Sequence, residues 1–118
     1  MVRLEQLAEA ALTGDALDLR SLTQDWLRAN PRIADCPRPA TQDREILVVC
    51  AALVELFAER TNQAPPAWSA EIGSLTEPRF LVRSASSMKR LRRMCEAESP
   101  VALRRRNLFA PAGFLQSA

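Results

Sequence analysis

Ile46-Leu47-Val48-Val49-Cys50-Ala51-Ala52-Leu53-Val54-Glu55-Leu56-Phe57-Ala58 carries one charged residue in thirteen positions. Apolar side chains on every side are the mark of a helix enclosed by other elements rather than resting on one of them. Thr41 is the cap candidate at its start, with Asp43 and Glu45 in the first turn, where the helix dipole favours acids. Its end is expected near Asn62, ahead of Pro65-Pro66. The longest uninterrupted apolar run, Ile46 to Val54, is nine residues, against the roughly 20 that span a bilayer as a helix, so no membrane span is predicted. The expectation is an all-α protein, a small helical bundle around one long buried central helix over residues 41–63, with an irregular C-terminal segment wrapped on it.

Upstream, Leu4, Leu7, Ala8, Ala11 and Leu12 recur at helical spacing, and Gly14 is placed to close that helix. Asp15 can cap a second helix whose apolar stripe is Leu19, Leu22, Trp26 and Leu27, stopped by Asn30-Pro31. Three prolines between Pro31 and Ala40 predict an irregular crossing loop. Downstream, Pro65-Pro66-Ala67-Trp68 opens a punctuated zone in which Trp68 is expected to plug the core. Phe80-Leu81-Val82 is too short for its period to decide between an extended piece and a helical turn. Ser86 or Ser87 is the cap candidate for a fourth helix burying Met88, Leu91, Met94 and Cys95. Ser99-Pro100 then starts a short helix reaching about Arg106, and Phe109, Phe114 and Leu115 are expected to fold back on the body. The 118 residues form one domain, two short helices (1–30), the central helix (41–63) and a basic C-terminal part (64–118).

Charge is distributed unevenly. Residues 1–63 hold seven arginines and ten acids, whereas residues 64–118 hold nine cations and four acids. Seven of those nine fall in two short runs, Lys89, Arg90, Arg92 and Arg93, then Arg104, Arg105 and Arg106. Such a surface seeks an anionic partner, an acidic protein or nucleic acid. A single nearby aromatic, Phe109, makes stacking on single strands a poor fit. The competing reading is a solvated face, partly paired with Glu96, Glu98 and the acids of the first half.

Catalytic chemistry finds little support. The chain has no histidine, which removes the commonest general base and the His-activated nucleophiles. Cys36, Cys50 and Cys95 are odd in number, widely spaced and best read as buried reduced thiols, in keeping with a cytoplasmic protein. Glu55 and Glu59 lie one turn apart, but two carboxylates without histidine are a weak metal pair. The glycines at 14, 73 and 113 are too scattered to cradle a phosphate. The expectation is no enzyme, no cofactor and no metal. The many apolar faces of the central helix leave a homodimer open.

Three stretches together carry a resemblance: Pro65-Pro66-Ala67-Trp68, Leu75-Thr76-Glu77-Pro78-Arg79-Phe80, and Ser99-Pro100-Val101-Ala102-Leu103-Arg104-Arg105-Arg106-Asn107-Leu108-Phe109. Over about residues 42–116 the chain resembles the all-helical C-terminal region of small bacterial antitoxin-like or regulatory proteins. Many of these begin with a helix-turn-helix and are encoded beside nucleotidyltransferase-like toxins. The resemblance implies an interaction role, with such a toxin as partner and no catalytic residue to carry over. This chain departs from the pattern at its N-terminus. Asp18 and Asp25 share the second helix with only Arg20 and Arg28, a poor face for the major groove. Charge complementarity also suggests a clamp in which Glu77-Pro78 fixes Arg106-Asn107. Trp68, Glu77, Pro78, Asn107 and Phe109 are accordingly the structural candidates.

Overall fold

In the computed structural model, which describes residues 2–82, 85 and 87–115, local signals in the first half translate directly into helices. The first helix, α1 (Leu4–Thr13), buries Leu4, Leu7, Ala8, Ala10 and Ala11, and the Gln6 side chain accepts from the Arg3 amide at 2.7 Å. Gly14 closes it at φ 78°, a left-handed conformation that costs glycine little because it has no Cβ. Asp15 Oδ1 accepts from the Asp18 amide at 3.0 Å and so starts α2 (Ala16–Ala29), which buries Leu19, Thr23 and Trp26. At the far end the Asn30 side-chain amide donates to the Trp26 carbonyl at 2.9 Å before Pro31 breaks the helix.

Thr23 is the exception to good packing on α2. It is fully buried and its hydroxyl has no hydrogen-bond partner among the described residues. An unsatisfied buried hydroxyl costs about 1–3 kcal/mol. Thr23→Val, which keeps the shape and removes the orphan group, is therefore expected to stabilise the protein by about 1 kcal/mol, roughly 4 °C in Tm. Thermal unfolding followed by circular dichroism checks this, and a Tm unchanged or lowered would contradict it.

The third helix, α3 (Arg44–Arg60), is shorter at both ends than the sequence suggests. Asp43, not Thr41, is the cap: Asp43 Oδ1 accepts from the Ile46 amide at 3.1 Å, while the Thr41 hydroxyl accepts from the Asp43 amide at 3.1 Å and so shapes the approach. Every residue from Val48 to Ala58 is buried, Glu55 among them. The ladder stops at Thr61, and Asn62 turns the chain at φ 57°, a conformation that asparagine tolerates better than most residues. Gln63 next to it ties down the proline loop. Its side chain accepts from the Ile33 amide at 3.0 Å and donates to the Pro31 carbonyl at 3.1 Å.

α3 packs against α1, against the 3-10 turns Ile33–Asp35 and Ala67–Glu71, and against α5 (Val101–Arg104), the last helix. A fourth helix, α4 (Lys89–Glu98), precedes α5. The described chain is mainly helical, with one departure. Arg79–Phe80 (β1) and Leu108–Phe109 (β2) pair as a two-residue parallel ladder, Arg79 opposite Leu108 and Phe80 opposite Phe109. Parallel strands need a long crossover, and α4 with α5 supplies it. The rings of Phe80 and Phe109 stack with centroids 5.4 Å apart. Asn107, at φ 67°, reverses the chain into β2 while its side-chain amide donates to the Leu75 carbonyl at 3.2 Å.

The C-terminal wrap is held from α3. Arg60 donates to the carbonyl of Phe114 and, at 3.4 Å, to that of Ala112. Phe114 and Leu115 pack partly buried against the core. The radius of gyration is 13.2 Å, close to the roughly 13.5 Å expected of a compact chain of this length. No helix among the described residues is long and apolar enough to cross a membrane.

Candidate interaction surface

Glu55 is the one carboxylate on the enclosed stretch of α3, and a buried charge persists only when paired and hydrogen-bonded. Its partner is Arg106. Arg106 Nε donates to Glu55 Oε1 at 3.2 Å and Nη2 to Oε2 at 2.6 Å, a bidentate fork. The remaining guanidinium protons meet carbonyls: Nη2 donates to Ser69 at 2.8 Å, and Nη1 to Gly73 at 3.1 Å and to Ile72. All five N–H groups are thus satisfied, with the side chains of Arg106 and Glu55 only 7% and 8% exposed. Arg105, half-exposed, places Nη2 3.3 Å from Glu55 Oε1. One carboxylate therefore binds the end of α5, the 3-10 turn at Ala67–Glu71 and α3 into a single knot.

This overturns one of the seven cationic candidates for partner binding. Arg106 faces inward and holds the fold, because desolvating Glu55 requires a full complement of donors around it. Arg105 is shared between that knot and solvent. The expected clamp exists with a different carboxylate: Glu55 fixes Arg106, while Glu77 and Pro78 are exposed and stand outside the knot. Asn107 makes the turn into β2 and the bond to the Leu75 carbonyl, and Phe109 the ring contact with Phe80. Trp68 is partly buried against the core, and its indole N–H donates to the Cys36 carbonyl at 2.8 Å.

The other basic residues lie outside. Lys89, Arg90 and Arg93 on α4 and Arg104 at the end of α5 are exposed, and none enters an ion pair among the described residues. Arg92 is also exposed but engaged. Its Nε lies 3.4 Å from Glu96 Oε1, one turn along, and its guanidinium sits 4.9 Å over the Phe80 ring. Such a surface pair contributes little to stability.

α4 itself differs from its expected packing. Of its ten residues only Cys95 is buried. Leu91 is half-buried, whereas Met88 and Met94 are 53% and 44% exposed instead of facing the core. The contacts of this helix are instead the buried thiol of Cys95 and the Arg92 guanidinium over the Phe80 ring. Met88, not Ser87, occupies the position before the first helical residue, without a side-chain cap; Ser86 lies outside the described residues. Ser99 does not cap α5 either. Its hydroxyl accepts from the Ala110 amide at 3.0 Å, and its proton is shared between the carbonyls of Cys95 and Ala110, pinning the end of α4 to the residue after β2.

The cysteines offer no activated nucleophile. All three are free and buried. Burial, with a smaller contribution from Glu5, pushes the Cys36 thiol up to about 11, and burial pushes Cys50 and Cys95 up as well. Glu55, one half of the weak carboxylate pair considered for a metal, is held by two guanidinium groups, and no metal-competent cluster of three or more His, Cys, Asp or Glu occurs among the described residues. No family model, curated protein or solved structure matches this chain.

Proposed function

We propose that this chain is a non-enzymatic interaction protein of antitoxin-like or regulatory type, whose surface on α4 and the end of α5 binds an acidic protein. Its scaffold is a small helical bundle gathered around α3. The observation carrying this reading is that Lys89, Arg90, Arg93 and Arg104 are exposed and unpaired among the described residues, with exposed Met88, Met94 and Val101 interleaved. Cations alone would suit any polyanion. Cations with flexible thioethers between them suit a protein surface that offers carboxylates and apolar contacts together. The resemblance of residues 42–116 to antitoxin-like regions makes a nucleotidyltransferase-like toxin the partner of choice.

Co-expression with the product of the gene encoded beside it tests this reading, and a complex at micromolar concentration is expected. Arg90→Glu with Arg93→Glu should weaken that complex about 10-fold to 100-fold while leaving helicity and Tm unchanged, since neither side chain is packed. No complex, or one indifferent to the double reversal, contradicts the proposal. The alternative, a small nucleic-acid-binding module using the same arginine cluster, predicts instead a loss of duplex affinity with salt that steepens with each phosphate neutralised. A titration of duplex DNA and RNA at two salt concentrations separates the two.

A further inference from the structure

A groove of about 440 Å3 opens between the α1–α2 turn, the exit of β1 and the C-terminal wrap. Ala16, Leu19, Leu81, Val82 and Phe114 are among its walls, and among the described residues Arg20 is the one charged side chain that lines it. Its volume falls in the roughly 300–1,000 Å3 range of small-molecule sites, which are mostly apolar with a few polar groups that fix orientation. Arg20 is exposed and belongs to none of the ion pairs among the described residues. Leu17, in the same first turn of α2 as Ala16, is 83% exposed and adds apolar surface to that end of the helix. No residue of α4 lines the groove, so it stands apart from the basic surface.

Apolar walls reward a ligand with an apolar body, because its surface and theirs leave water together. A lone guanidinium rewards one planar anionic head, which it meets with two parallel N–H donors. Among the described lining residues a polyphosphate or dicarboxylate would find a single cation among mostly apolar walls. We propose that the groove binds a small amphiphilic monocarboxylate, its saturated tail against Leu19, Leu81 and Phe114 and its carboxylate on Arg20.

Decanoate is a suitable probe, with decanol and decylamine as head-group controls, each titrated into the full-length protein below its aggregation limit and followed by calorimetry. Decanoate is expected to bind in the micromolar to millimolar range and about tenfold more tightly than decanol, with decylamine weakest. Arg20→Gln should remove that tenfold preference and leave decanol unchanged. Ala16→Trp, at an exposed first-turn position, should fill the groove and abolish binding of all three while Tm holds. Decanoate captured instead by the arginines of α4 would be indifferent to Ala16→Trp, and that result overturns the assignment. Absence of decanoate binding, or equal affinity for acid and alcohol, overturns it too.

Discussion

Replacing Arg106 with alanine is expected to lower the unfolding free energy by about 3–5 kcal/mol, a large share of the roughly 5–15 kcal/mol that holds a domain of this kind together. The substitution removes five donors at once. It leaves the Glu55 carboxylate desolvated and strips hydrogen bonds from the carbonyls of Ser69, Ile72 and Gly73. Arg105, half-exposed and 3.3 Å from the same carboxylate, can screen only one oxygen. Arg106→Lys should recover little, since an ammonium on a flexible stem cannot reach both carboxylate oxygens and three carbonyls. Urea unfolding of the two variants measures this directly. A loss below about 1 kcal/mol for Arg106→Ala would mean that Glu55 is wetter than the geometry shows.

A comparable loss belongs to the hydrophobic centre. Leu53 is fully buried on α3, the helix against which α1 and α5 both pack. Leu53→Ala removes its methyl groups and leaves a cavity that the surrounding backbone fills only in part, for an expected 2–5 kcal/mol. Leu17→Ala, at a side chain 83% exposed, is the matched control and should stay within about 0.5 kcal/mol. Equal effects at the two sites would contradict the placement of α3 inside the fold.

The elements that sequence made legible are those whose signal is local. Asp15, Gly14 and Pro31 bound α1 and α2 through caps and missing donors, so their positions need no tertiary information. The burial of Val48 to Ala58 on α3 was legible because residues 46–58 leave no polar face to turn outward. Thr41 lost the cap to Asp43 by two residues, a shift within reach of any of several oxygen-bearing side chains ahead of Arg44. The β1–β2 ladder was not legible: two residues per strand have no period, and their pairing joins segments 29 positions apart in register. The surface was legible in part. Counting cations placed Arg106 with its neighbours, although Glu55 alone in an apolar run was itself the sign that one cation must turn inward. Met88 and Met94 read as core because their spacing is helical, yet both are exposed, since a helical period fixes which residues share a face and not whether another element covers it.

Proton exchange at the arginine Nε–H groups, followed by NMR at neutral pH, distinguishes the inward guanidinium of Arg106 from the outward ones of its neighbours. The Arg106 Nε–H, locked on Glu55 Oε1 with its side chain 7% exposed, should persist far longer than those of Arg90, Arg93 and Arg104, and should lose that protection in Glu55→Ala. Exchange at Arg106 as fast as at Arg93 would mean that all the cations of this segment share one solvated surface, and the division of labour between knot and interface would fall.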